Sequence, residues 1–485
     1  MRMHRWVTAL LVGGMSALSA GCKSDNPAAG DGSTASDSSV TVYDRGARDL
    51  GFVDQRVGDQ SVADALPSPD EGAPSSDSAV NPDRGPASDG PRRDGPRPDA
   101  GRRDTGVARD VYRPDAPPPP PEVLWTRQHN GAVDGNDFAT GVATDTANAI
   151  YVAGRETANA QGTNIWVAKY DTAGTLQWTK TENGSSNGDD AAMAVTHDRA
   201  GKMIVSGFLA QAPAVGRQHW TRKYDAAGAT VWTIGPSGTA GEDLDRGVAT
   251  DRLGQPVIVG QQNGSIWMAK YTTAGAPIAG WTDSGNGDNL LFGVDTDGTD
   301  AAIVVGRARA ATAPNPWRIW TRKYAADRTI AWTNQYNDTP NQEGYAVATD
   351  SANNVILVGY DTGAGQGTNV WVRKLDPAGN TIWTQSYNGA ANGNDAATCV
   401  AVDAQDNIIV GGYETVANQS LNGWLRKYTK ANPPVVTWTR TINGGANNDD
   451  RWHGVTTDSA NNIIAVGRIT VVGQGTNVIV RKYSP

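Results

Sequence analysis

The chain has 485 residues, with 51 acidic against 42 basic side chains and a net charge of −9. Residues 23–121 hold 12 Lys/Arg against 18 Asp/Glu, and residues 122–485 hold 28 against 33. Neither stretch has the basic excess that phosphate-backbone binding requires, which argues against nucleic acid as a partner.

Residues 1–21 read as a signal peptide. Arg2 and Arg5 supply a charged start, and the apolar stretch from Trp6 to Ser19 is short for a membrane span. Ser19-Ala20-Gly21 then precede Cys22. This junction resembles the lipobox of bacterial lipoproteins, with Ser19 where Leu is usual. The resemblance implies cleavage before Cys22, lipidation of its thiol and anchoring in a membrane of the cell envelope. Lys23, standing where many inner-membrane lipoproteins carry Asp, implies the outer membrane. The alternative is an ordinary secretory cleavage that leaves Cys22 a free thiol. With Cys22 lipidated, Cys399 has no cysteine partner in the chain, so packing alone must stabilise the fold.

Residues 22–121 read as a disordered tether behind that cysteine. Runs such as Asp89-Gly90-Pro91-Arg92-Arg93-Asp94 bury too little apolar surface to offset the entropy of ordering. Pro117 to Pro121 should form a stiff spacer before the folded domain. A flexible chain of this length reaches roughly 50–60 Å, enough to hold a domain clear of a membrane surface.

Residues 122–485 repeat. Trp-Thr pairs begin at 125, 178, 232, 281, 332, 383 and 438, a period of 49 to 55 residues. Each unit also has an Asp followed nine positions later by a Gly, from Asp145/Gly154 to Asp458/Gly467. A third element, Trp-x-x-Lys-Tyr, runs from Trp166 to Tyr170 and recurs with small changes in every unit. The intervening Val/Ile-rich runs, bounded by Gly, Asn and Asp, predict four antiparallel strands per unit and an all-β, seven-bladed β-propeller. The strand rich in small residues (Ala139 to Asp145) suits the crowded centre, and the Trp-Thr strand the outside. Because the last unit lacks its outer strand, 122–128 is expected to pair with 477–483 and close the ring. A monomer is expected.

These motifs resemble the bacterial seven-bladed β-propeller repeat known as SBBP: an aromatic-x-x-Lys-Tyr-Asp-x-x-Gly hairpin, Trp-Thr, a Gly/Asn/Asp loop, then Val-x-x-Asp and a Gly-ended strand. The resemblance covers nearly all of 122–485 and implies a fold and an envelope setting rather than a reaction. Blade four departs most, with Asp327-Arg328 in place of the turn Gly. The hairpin also resembles the tryptophan docking motif of quinoprotein propellers, which opens an enzymatic alternative.

Residues identical in every unit are expected to be structural. The seven Trp should pack between blades, and the repeated Asp should cap its turn. The repeated Lys should reach that Asp or backbone carbonyls. Asp137, Asp190, Asp243, Asp395 and Asp450, with Asn289 and Gln342, occupy one position in the loops entering the inner strands. They offer an oxygen rim that suits Ca²⁺, although the same residue types also make turns on their own backbone. Asp295 to Asp300 is calcium-like in composition but lacks EF-hand spacing.

Ligand binding falls instead to residues that break the repeat. Arg246, Tyr345 and His453, with Phe292, share one inner-strand position, and Trp452 precedes His453. Trp317, Tyr360 and Tyr413 lie nearby in the alignment. Cys399 aligns with Gly and Ala, so it reads as a buried small residue. His129, His197, His219 and His453 fall in different units without metal-ligand spacing, and no serine-nucleophile elbow or phosphate loop is present. The sequence therefore points to a tethered, non-enzymatic module meeting a protein, peptide or glycan on its loop-rich face. A quinoprotein-like envelope enzyme and a structural coat component are the alternatives.

Overall fold

A computed structural model describes residues 120–212, 215–236, 240–283, 289–309 and 316–485, with the backbone alone for 279–283. The chain divides into two units, 1–106 and 107–485, and every described residue belongs to the second. The signal peptide, Cys22 and the tether lie outside the described residues.

The described residues form seven antiparallel sheets, each of four main strands. In blade one these are Phe138–Thr144, Ile150–Ala158, Gly162–Tyr170 and Leu176–Glu182, paired in chain order. The first strands of blades two to six are Ala191–His197, Asp243–Thr250, Leu290–Thr296, Glu343–Thr349 and Ala396–Val402. Each first strand contacts those of the two neighbouring blades, so the seven together form the innermost ring. The chain is an all-β, seven-bladed propeller.

Blade seven comprises Arg451–Thr457, Ile463–Val471 and Gly475–Tyr483, completed by Val123–His129 from the start of the domain. Val123 lies opposite Tyr483 and His129 opposite Val478, so the closing strand extends one residue beyond the expected seam. Ser484 N–H donates to Glu122 O at 2.9 Å and locks the junction. Closure covers the edge of Gly475–Tyr483 that the last unit would otherwise leave open.

A β-bulge explains the repeated Gly. Every first strand carries one extra residue, such as Thr140 between the partners Ala139/Gly154 and Gly141/Ala153. The bulge drives the preceding carbonyl toward the second strand. A Cβ on Gly359 would stand 1.9 Å from Glu343 O, and one on Gly154 2.2 Å from Phe138 O. Only glycine fits.

The core consists of layers between blades. At the seam, Ile464, Val466 and Val478 of blade seven pack against Ile150, Val152 and Trp166 of blade one. The outer tryptophans cross the same boundaries. Trp125, Trp178, Trp232 and Trp332 each donate Nε1–H, at 3.1–3.2 Å, to a carbonyl in the next blade's outer turn. The Gly of that turn lies beneath the indole: a Cβ on Gly174 would meet Trp125 at 2.8 Å. The side chain of Trp281 is outside the described set.

The repeated Asp and Lys complete this frame. Asp350 Oδ1 accepts the N–H groups of Ala352 and Asn354, while its Oδ2 lies 2.8 Å from Lys374 Nζ in the same blade. Equivalent pairs join Asp198 to Lys223, Asp251 to Lys270, Asp297 to Lys323, Asp403 to Lys427 and Asp458 to Lys482. Lys223 also donates to Thr273 O of the next blade at 3.0 Å. In blade one, Tyr151 OH takes the place on Asp145, and Lys169 donates to Ala226 O across the boundary.

Candidate functional site

The tight turns after the first and third strands emerge at one end of each blade, and the longer loops at the other. The bulge residues lie near the loop end: Thr140, Met193, Arg246, Phe292, Tyr345, Thr398 and His453. Thr140 and Thr398 bond neighbouring carbonyls. The larger four meet the residues that follow the second-strand Gly, forming a belt of arginines and aromatic rings.

From blade one the belt begins with the Arg155 guanidinium 4.1 Å from the Phe138 ring centroid. Phe138 lies 5.6 Å from the His453 ring, and Arg468 approaches the same Phe at 5.5 Å. Arg468 and Arg451 share the Asp449 carboxylate, and Arg451 stacks on Tyr413 at 4.4 Å. Across the ring, Tyr360, Tyr345 and Phe292 form a file with centroids 5.8 and 5.4 Å apart. Arg246 lies 5.3 Å from Phe292, and Arg307 pairs with the buried Glu343 carboxylate. Trp317 is flanked by Arg307 and Arg309 at 4.0 and 4.2 Å.

Guanidinium groups cluster in this belt, three of them against the Glu343 and Asp449 carboxylates. Burial, and then the guanidinium groups of Arg468, Arg451 and Arg155, push His453 well below its ordinary pKa, so its imidazole is neutral at pH 7. Burial and the charges of Arg307 and Arg217 lower Arg246 to about 10, and its Nε–H has no hydrogen-bond partner. Burial and the Glu343 carboxylate raise the Tyr345 and Tyr360 hydroxyls, which stay protonated as donors. The arrangement supplies cations, ring faces and hydroxyl donors at one mouth.

Arg246, Tyr345 and His453 all stand at the bulge position and face the belt. Trp452 does not: its side chain is fully buried among Leu425, Ile442 and Ile479, in the layer between blades six and seven. The bulge is the reason, because it turns His453 to the centre and the preceding residue to the blade face.

The five aspartates form no open cation rim. Asp190 is fully buried, and its oxygens accept N–H from Gly184 at 2.6 Å and Ala210 at 2.5 Å. Asp137, Asp395 and Asp450 staple their loops in the same way, and Asp243 accepts from Asn263 N–H. Burial raises Asp190 and Asp395 to about 6 despite these bonds. The Asp295–Asp300 turn is likewise filled by protein donors: Asp297 holds Lys323, and Asp300 holds Arg252. Among the described residues, no group of three His, Cys, Asp or Glu is placed to hold a metal ion. Cys399 is buried and unpaired, with its thiol pushed up to about 12 by burial.

Sequence reasoning missed Arg155, Arg307 and Arg468. The signal was available, because all three directly follow the second-strand Gly, the position at which Tyr360 and Tyr413 were noticed.

No family model matches the chain, and no curated protein does. Among solved structures, a protein of unknown function from Dyadobacter fermentans DSM 18053 is similar at 10% identity and a TM-score of 0.46, over 76% of this chain and 99% of its own. Drosophila Plexin A in complex with Semaphorin 1b aligns at 8% and 0.44, over 74% and 87%. A glucose dehydrogenase aligns at 9% and 0.36, over 75% and 99%. Likeness at this distance carries no argument about function.

Proposed function

We propose that this chain is a lipid-anchored binding protein of the bacterial envelope, with an SBBP-type propeller that takes a carboxylate-bearing ligand at its loop-end mouth. The observation that carries this reading is the convergence of guanidinium groups from blades one, three, four and seven on one belt of rings. Guanidinium forks suit carboxylates, and aromatic faces suit sugar rings or planar peptide groups. His453, at the centre of the belt, is buried and held neutral by burial and then by three nearby guanidinium groups, so the charge the site offers a ligand comes from the arginines. Cys22 would hold the propeller to the outer membrane through the tether, and among the described residues no helix is long and apolar enough to cross a membrane.

Polygalacturonate, polyglutamate and neutral dextran, titrated against the full chain, test the site. Either acidic polymer should bind, more weakly as salt rises, and dextran should not. Equal binding of all three, or of none, would defeat the reading. For the anchor, radiolabelled palmitate should label the wild type and not C22S; label on neither would remove lipidation.

A further inference from the structure

The outer grooves between blades are filled by an arginine two residues after the third-strand tryptophan, or after Ile479 in blade seven. Arg222, Arg322, Arg373, Arg426 and Arg481 occupy this position. Each donates Nε–H to a threonine hydroxyl on the outer strand of its own blade: Thr233, Thr333, Thr384, Thr439 and Thr126, at 2.7–2.9 Å. Blade one has Ala168 here and blade three Ala269. The side chains of 279–283 on blade three's outer strand lie outside the described set, but the groove of blade one is fully described.

That groove, beside the closing seam, matches the one between blades five and six almost residue for residue. There, Arg426 lies 4.1 Å from Tyr387 and 4.8 Å from Trp424, two rings stacked at 5.3 Å, and Tyr387 OH donates to Glu414. At the seam, His129 stacks on Trp166 at 4.6 Å with an interplanar angle of 17°, and its Nε2 lies 2.7 Å from Glu156. Thr179 stands where Thr439 does, and Tyr170 where Tyr428 does. Two outer-strand residues differ, His129 for Tyr387 and Arg127 for Gln385, and the third-strand arginine is missing. A cavity of about 340 Å³ opens there, lined by His129, Trp166, Tyr170, Thr179, Arg127 and Leu176 among others.

Arg127 does not replace it. Its donors go to the carbonyls of Gly174, Thr126 and Ala173, at 2.7, 2.9 and 3.2 Å. Arg440 stands at the same outer-strand position in the groove between blades six and seven, where it donates to Pro121 O beside a resident Arg481 that holds Thr126. A rim donor and a central guanidinium thus coexist elsewhere in this ring. The Glu156 carboxylate behind His129 gives the platform the negative character that Glu414 gives in the five/six groove.

We propose that this cavity receives the guanidinium of an arginine side chain presented by a partner polypeptide. The guanidinium stacks on the His129–Trp166 platform and donates to Thr179 Oγ1, as Arg426 does on its own rings. Lysine fits poorly, because an ammonium cannot stack or donate as a planar fork.

The test titrates N-acetyl-arginine-amide, and separately N-acetyl-lysine-amide, into the full chain while following the His129 ring signals by NMR. The chain has five histidines, so an H129Q spectrum assigns them. The arginine amide should shift them saturably, with lysine amide at least about tenfold weaker. A168R should abolish the shift and raise the melting midpoint by refilling the groove. T179V, at an exposed position, keeps the test alive should A168R fail to fold, and should weaken binding several-fold. Equal responses to the two amides, no saturable shift, or an undiminished response in T179V or folded A168R would overturn the proposal.

Discussion

The two ends of each blade follow different rules. At the turn end, one set of contacts recurs around the ring: Asp holds Lys, Lys reaches the next blade, and Trp covers the next blade's turn. At the loop end, the bulge position holds Thr140, Met193, Arg246, Phe292, Tyr345, Thr398 and His453, six residue types in seven blades. A closed ring needs each blade to meet its neighbour at one angle, so residues that set this angle are held to the repeat. Residues facing the channel mouth do not set it, and are free to differ. Stability should therefore be concentrated at the turn end and along the seam, and recognition at the mouth.

The largest effect should come from cutting the ring. Deleting residues 1–130 removes the strand from Val123 to His129 and exposes the edge of Gly475–Tyr483. The cooperative melting transition should be lost in calorimetry. A truncated protein that melts like the full chain would mean that the ring does not depend on its seam. Next is K374M. Asp350 would be left as a buried, unpaired charge, a loss of about 3–5 kcal/mol in denaturant titration. Burial alone would raise the Asp350 carboxyl, but Lys374 and Asn354 outweigh it and hold it below its usual value. Its contribution is therefore complete above about pH 4 and is lost as pH falls through the depressed pKa. K374M should move the acid-unfolding midpoint to higher pH. Smaller again is G359A, at about 1–3 kcal/mol, because the bulge carbonyl of Glu343 must yield to the new Cβ.

The repeat made one end legible in the sequence and hid much of the other. Period, strand pattern and the unpaired outer strand were enough to give seven blades and the seam, since each is a matter of counting. The Asp–Gly spacing was visible, but its cause was not: the bulge arises from pairing between strands and leaves no mark of its own in one strand. That bulge is also why Trp452 was misplaced, since a period-two reading cannot say where the face switches. The loop aspartates misled for a related reason. A carboxylate beside Asn and Gly reads as a cation ligand or as a turn, and only the N–H groups on both oxygens of Asp190 decide between them. Arg155, Arg307 and Arg468 were legible in principle, but three blades of seven is a weak pattern without a fold to place it on.

The smallest expected effect on stability is the sharpest test of the comparison. Arg246 sits half-buried at the mouth with a partnerless Nε–H, its pKa lowered first by burial and then by two other arginines. Replacing it with Met keeps the aliphatic stem against Phe292 and removes a charge that the site does not fully compensate. R246M should therefore melt within about 1 kcal/mol of the wild type, or slightly above it. Its binding of polygalacturonate or polyglutamate should fall roughly ten- to a hundredfold, since one charge-assisted contact is worth about 1.5–3 kcal/mol. K374M should do the opposite, losing stability while retaining affinity in the folded fraction. If R246M were as destabilising as K374M, the mouth would belong to the frame, and the arginines would have to be read as braces between blades.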